Sequence, residues 1–214
     1  MSRYGDVYEN KVTREYAVVL RGTEDRGGGP MIVHLTARPG AAIIGEHVHP
    51  NLRERFTVVS GRLEAKIAGT LHRLGPRQSV VIEAGVVHDW WNPSGDEDAH
   101  VLVELESSPG AANGILARFE RMIANLFGLA NDGKVDAKGR PSPLQAAVMA
   151  QEFADVIVFT QPPQAIQRAM VDVLAPLARF LGYKATYPAY SGPHGHVTPD
   201  AEIVVASVLI PVGT

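Results

Sequence analysis

The sequence predicts a mainly β protein, a small antiparallel barrel followed by a C-terminal α-helical extension. Between Glu15 and Ser107, short segments rich in Val, Ile, Leu and Thr alternate with Gly, Pro and Asn turn residues, as in an antiparallel sandwich or barrel. After Pro109-Gly110 the apolar spacing changes to three and four residues, the period of amphipathic helices. Hydrophobic residues make up 45% and charged residues 20% of the 214, with no block of like charge, which describes an ordinary globular chain. The expected organisation is a barrel over 1–110, a helical extension over 111–182, and a Pro/Gly-rich tail over 183–214 that carries a short apolar arm, Ile203 to Ile210.

Strands are expected near 15–21, 30–38, 42–49, 53–60, 62–68, 78–83, 87–92 and 99–106. Ser60-Gly61, Ala68-Gly69-Thr70 and Asn92-Pro93-Ser94-Gly95 are the turns between them. Eight short strands close naturally into a barrel, which removes exposed edges. A first helix is predicted over about 112–130, where Ile115, Leu116, Phe119, Met122, Ile123, Leu126 and Phe127 form one stripe. Ser142-Pro143 reads as an N-cap followed by proline at the first helical position, opening a helix to about Ala154. A third helix opens after Thr160-Gln161-Pro162-Pro163 and stops at Gly182, with Pro176 expected to kink or divide it. These stripes are expected to cover the barrel or a sister subunit in a homodimer.

Composition narrows the chemistry. The absence of cysteine removes disulfides, thiolate catalysis and Cys-based zinc sites, leaving His, Asp and Glu as metal ligands. A formal net charge of -3 without a basic stripe lacks the electrostatic footprint of nucleic-acid binding. The N-terminal residues hold no apolar core of a secretory signal, and no apolar run approaches the roughly 20 residues of a membrane span. A cytoplasmic protein with no membrane or nucleic-acid partner is the default expectation.

Two stretches carry the candidate site: Gly45-Glu-His-Val-His-Pro-Asn-Leu-Arg-Glu54 and Gly85-Val-Val-His-Asp-Trp-Trp-Asn92. Together they offer three imidazoles and one carboxylate. His47 and His49 are two residues apart, so on a strand both emerge from one face. Glu54 and His88 must then arrive on neighbouring strands. Trp90 shares the inward parity of His88, and Trp91 is expected to point outward. Glu46, Arg53 and Arg55 have the opposite parity to the ligands and are expected on solvated faces or at subunit contacts. His34 and His72 are expected to be structural. His194-Gly195-His196 repeats the His-x-His spacing in a loop without an acidic partner, so no second metal site is expected there.

The spacing Gly40, six residues, His47, one, His49, four, Glu54, six, Gly61 resembles the first motif of the cupin superfamily. Gly85, two residues, His88, three, Asn92 resembles the end of its second motif. The first spacer is one residue longer than the commonest form, and Glu83 stands where the second motif usually has proline. The resemblance implies a cupin barrel of jelly-roll type with His47, His49, Glu54 and His88 as four metal ligands and Asn92 as a supporting residue; Trp90, by its parity, and Asn92 are pocket-lining candidates, with core packing the first expectation for Trp90. Three neutral imidazoles and a carboxylate suit a divalent transition metal; Fe, Mn or Ni is expected first, with Zn or Cu as further candidates, because ligand type separates these ions poorly. Residues 126–134 and 179–184 resemble a C-terminal extension of bacterial single-barrel cupins. The implied activity is metal-dependent small-molecule chemistry of dioxygenase type. The alternatives are a metal-dependent isomerase or lyase, or a non-catalytic small-ligand-binding cupin. A DNA-binding regulator is disfavoured because no basic helix-turn-helix stands beside the barrel.

Overall fold

The computed structural model describes residues 1–25, 27–42 and 45–199. The apolar arm expected at 203–210 lies outside the described residues. In chain order the strands are β1 (Asp6–Asn10), β2 (Glu15–Arg21), β3 (Met31–Ala37), β4 (His47–Val48), β5 (Leu52–Ser60), β6 (Leu63–Ile67), β7 (Thr70–Leu74), β8 (Ser79–Ile82), β9 (His88–Trp91) and β10 (Ala99–Ser107). Helices α1 (Ile115–Asn131) and α2 (Pro143–Glu152), strand β11 (Val158–Phe159), helix α3 (Gln164–Phe180) and strand β12 (Gly195–His196) follow.

Two antiparallel sheets form a jelly roll. One runs β12-β1-β2-β3-β10-β5-β8 and the other β11-β4-β9-β6-β7. Alternation fills the space between them: Met31, Leu35 and Ala37 of β3, Leu52, Phe56 and Val58 of β5, and Val101, Val103 and Leu105 of β10 point into one core with Leu63, Ala65 and Trp90. Ile115, Leu116, Met122 and Leu129 of α1 join the same core, as do Met149, Phe153 and Val156 from α2 and the residues after it. The extension therefore shares its apolar interior with the barrel.

Turn chemistry follows the sequence. Ala68 and Gly69, with φ of 47° and 82°, make the two-residue link between β6 and β7, and two positive φ values suit the twist of a tight hairpin. At Gly61 φ is 77°, and a Cβ there would stand 2.3 Å from the Asp98 carbonyl oxygen. Only glycine fits that turn between β5 and β6. The hydroxyl of Ser142 accepts a hydrogen bond from the Gln145 amide at 3.4 Å, and Pro143 opens α2. Helix α3 contains Pro176 and continues to Phe180, so the proline does not divide it.

Four strands are additions to the sequence expectation: β1, β7, β11 and β12. The pairs β11 and β12 are two residues long, too short to show a period. Thr70–Leu74 forms an edge strand with little buried surface, so its residues lack the apolar alternation that marks a strand. The long strand expected over 42–49 is reduced, among the described residues, to a single bridge from Ala42 to Trp91 and the pair His47–Val48.

Candidate metal centre

The candidate site lies between the sheets. His47 on β4 is the direct cross-strand partner of His88 on β9 and of Phe159 on β11, which places Phe159, His47 and His88 in one row across three strands. His49 follows β4 immediately, and its carbonyl accepts the Gly85 amide at 2.9 Å. Gly85 has φ of 78°, so the turn that starts β9 needs a residue free of the Cβ penalty. Glu54 comes from the opposite sheet, on β5. All four are buried, between 1% and 5% exposed.

Each imidazole is fixed through the same ring nitrogen. Nδ1 of His47 lies 2.9 Å from the Gly45 carbonyl oxygen, Nδ1 of His88 2.9 Å from that of Val86, and Nδ1 of His49 2.6 Å from that of Val156. A carbonyl oxygen only accepts, so all three Nδ1 atoms donate, and a neutral ring then carries its lone pair on Nε2. One ligand atom from each of the three rings lies within 4.8 Å of the others. Atoms sharing one ion at about 2.1 Å are at most about 4.2 Å apart, so small side-chain adjustments would bring the three onto an ion.

Glu54 stands beside two of the three rings but outside the group of atoms that lie within 4.8 Å of one another. Its Oε1 is 3.8 Å from Nε2 of His49 and its Oε2 is 3.0 Å from Nε2 of His88. With Nδ1 donating, Nε2 of a neutral His88 faces Oε2 as one acceptor against another, and Nε2 of His47, Nε2 of His88 and Oε2 of Glu54 are all buried without a hydrogen-bond partner. Orphaned buried polar atoms carry a desolvation cost, and a cation would satisfy all three. Burial, and then the neighbouring His49 and His88, push His47 down to about 3. Burial alone would raise Glu54, but the three imidazoles outweigh it and hold the carboxyl down at about 2. Burial likewise opposes charge on His88, yet Glu54 dominates and raises it. An ionised carboxylate beside a neutral His47 is the charge state a divalent cation requires.

Residues 33–104 match the family model described as "Cupin domain". This segment is a cupin domain. A comparison with curated proteins found no match. Solved structures with similar folds include the Schizosaccharomyces pombe Cnp3 cupin domain, 13% identical over 44% of this chain and 66% of that one, with a TM-score of 0.39. A predicted oxalate decarboxylase from Thermotoga maritima is 17% identical over 44% of this chain and 80% of that one, TM-score 0.40. KdgF from Halomonas sp. is 18% identical over 49% and 94%, TM-score 0.39.

The other sequence candidates occupy distinct places in the fold. Trp90 is buried in the core beside Phe56, ring centroids 6.3 Å apart. The Asn92 amide nitrogen donates to the carbonyls of Ala37 and Glu97, both at 2.8 Å, and its oxygen accepts from the Ser94 amide, so its side chain clamps the turn after β9. Glu83, which replaces the usual proline, pairs with Arg53 at 3.0 Å. Lys66 meets Glu46 at 2.8 Å. The expectation that His194-Gly195-His196 lacks an acidic partner is corrected by the fold: β12 pairs with β1, and Nδ1 of His196 lies 3.2 Å from Asp6. Both histidines are exposed.

Three contributors escaped the sequence reading, and all belong to the extension. The Val156 carbonyl orients His49. Phe119 of α1 stands edge-on to His49 at 5.6 Å, and Phe159 lies 5.9 Å from His47. Phe119 was legible as part of an apolar stripe. A backbone carbonyl has no sequence signature.

Proposed function

We propose that the chain binds one divalent transition metal through His47, His49, His88 and Glu54 and acts as a metal-dependent small-molecule enzyme of dioxygenase type. The observation that supports it is the shared tautomer: three Nδ1 atoms committed to backbone carbonyls, with Nε2 lone pairs grouped beside an ionised carboxylate. Fe, Mn or Ni is the first choice and Zn or Cu the next, since imidazole and carboxylate donors accept each of these ions. When bound, such an ion supplies Lewis acidity and, if redox-active, one-electron chemistry toward dioxygen.

The chain's own residues do the rest. The carbonyls of Gly45, Val86 and Val156 hold the rings in place, as hydrogen-bond partners of metal-binding histidines do. Glu54 contributes the one negative charge, leaving a site of net charge near +1 that favours an anionic or enolic oxygen of a substrate. The rings of Phe119 and Phe159 give the site apolar neighbours, which exclude water and suit an organic substrate.

Metal analysis of protein purified without chelator, followed by oxygen uptake with diols, flavonoids and β-diketones, tests this reading. About one metal per chain with metal-dependent uptake supports it. A folded protein that stays metal-free after exposure to each ion would overturn it. A metal-replete protein that binds these compounds without uptake would overturn the oxygenase assignment in favour of isomerase or lyase chemistry, if product forms, or of a binding cupin, if none does.

A further inference from the structure

Helix α3 has two apolar faces, and only one of them is used within the described chain. Ala175 and Ala178 are fully buried against Ala147 and Val148 of α2, with Val171 and Leu174 beside them. The opposite face is open: Ile166, Met170, Val173, Leu177, Phe180 and Leu181 are 51%, 42%, 69%, 47%, 86% and 55% exposed. With about 200 Å² of surface per large apolar side chain, these exposures leave on the order of 700 Å² of contiguous apolar area, above the roughly 300–600 Å² patch of a typical monomer.

The spacing indicates what covers it. From Ile166 to Phe180 the steps are four, three, four and three residues. That is the 3.5-residue repeat of a helix–helix seam, narrower than the stripe a helix lays on a sheet. The positions flanking the seam, Gln167, Ala169, Leu174 and Pro176, carry no charge, while Arg168, Asp172 and Arg179 stand further out. Two identical seams can therefore meet without like charges in contact. Two copies of this face would bury on the order of 1,400 Å², within the roughly 1,200–2,000 Å² of stable specific interfaces.

We propose that α3 is a dimerisation seam that packs against α3 of a second copy of this chain about a twofold axis near Val173. Such an interface is isologous. Val173 is the midpoint of the seam, so it faces its own counterpart whether the helices run parallel or antiparallel.

The test uses the full chain in sedimentation equilibrium, with a mass of twice 23.0 kDa expected. Val173→Glu should weaken association about 100-fold or more, as loss of a central apolar contact does. It should leave circular dichroism unchanged, because Val173 is exposed. Arg168→Glu, off the seam, should remain dimeric. The chain has no cysteine, so Val173→Cys should give a single disulfide-linked dimer on oxidation and Arg168→Cys should not. A monomeric wild type, or a dimer indifferent to Val173→Glu, would overturn the proposal. A monomer in which the thiol introduced by Val173→Cys resists maleimide would overturn it too, and would assign the face to residues 203–210 of the same chain.

Discussion

Two groups of histidine sit on the two sides of the barrel wall, one fully buried and one pairing buried His34 with half-buried His100, and they are built differently. His47, His49 and His88 lie between the sheets with a carboxylate beside two of them, each with Nδ1 on a backbone carbonyl. His34 lies on the other face of β3, since Met31, Leu35 and Ala37 of that strand point into the core. It stacks on His100, ring centroids 5.3 Å apart and 6° from parallel. Both groups contain a buried Nε2 without a hydrogen-bond partner. An orphaned nitrogen is therefore not what distinguishes a ligand. Convergence of the rings, a fixed tautomer and an adjacent anion are.

The largest effect that would break this distinction concerns metal. His49→Ala should weaken metal binding by more than about 100-fold, beyond what loss of a supporting residue costs, whereas His34→Ala should keep full metal content and lose about 2 kcal/mol of stability. Equal metal loss in both variants, read by elemental analysis, would erase the contrast.

The next effect is a pH dependence. Burial, and then the neighbouring His100, push His34 from its ordinary 6.5 down to about 4. The unfolded chain takes up that proton first, so the contribution is present above pH 6.5 and is lost as pH falls toward 4. His34→Phe cannot titrate and should remove on the order of 2–3 kcal/mol of acid sensitivity in that window. An unchanged pH profile in denaturant melts would place the sensitivity elsewhere.

The smallest effect probes the support of His49. The Asn51 amide donates to the Asp155 carbonyl at 2.9 Å, and Arg118 pairs with the Asp155 carboxylate at 2.9 Å. These contacts hold the segment whose next residue, Val156, orients the ring. Asn51→Ala should lower metal affinity several-fold, at or below the roughly 10-fold that loss of a ligand's own hydrogen-bond partner costs, with little change in content at saturating metal. Titration against a competing chelator would show it, and no change would mean that the Arg118 contact suffices alone.

The barrel was legible because its strands are bounded by turns whose glycines have no substitute, such as Gly61 against the Asp98 carbonyl. His47, His49 and His88 were legible because strand period places two of them on one face and the motif spacing brings the third across from β9. What the sequence did not reveal is how the site is finished. The edge strand Thr70–Leu74 buries too little to show alternation. Strand β11 is two residues long, and the Val156 carbonyl belongs to a backbone that any residue there would supply.

The bond from the Val156 carbonyl to His49, and the pairing of Phe159 with His47, join the extension to two of the proposed ligands. Docking of that segment and occupancy of the centre are then linked equilibria, and thermodynamic reciprocity makes the coupling equal in both directions. Whatever factor segment docking adds to metal affinity, the metal adds to docking, so protease resistance of residues 153–160 becomes a readout of occupancy. Helix α3 begins four residues beyond that stretch, so the proposed association of two chains through α3 would reach the centre of each by the same equilibrium.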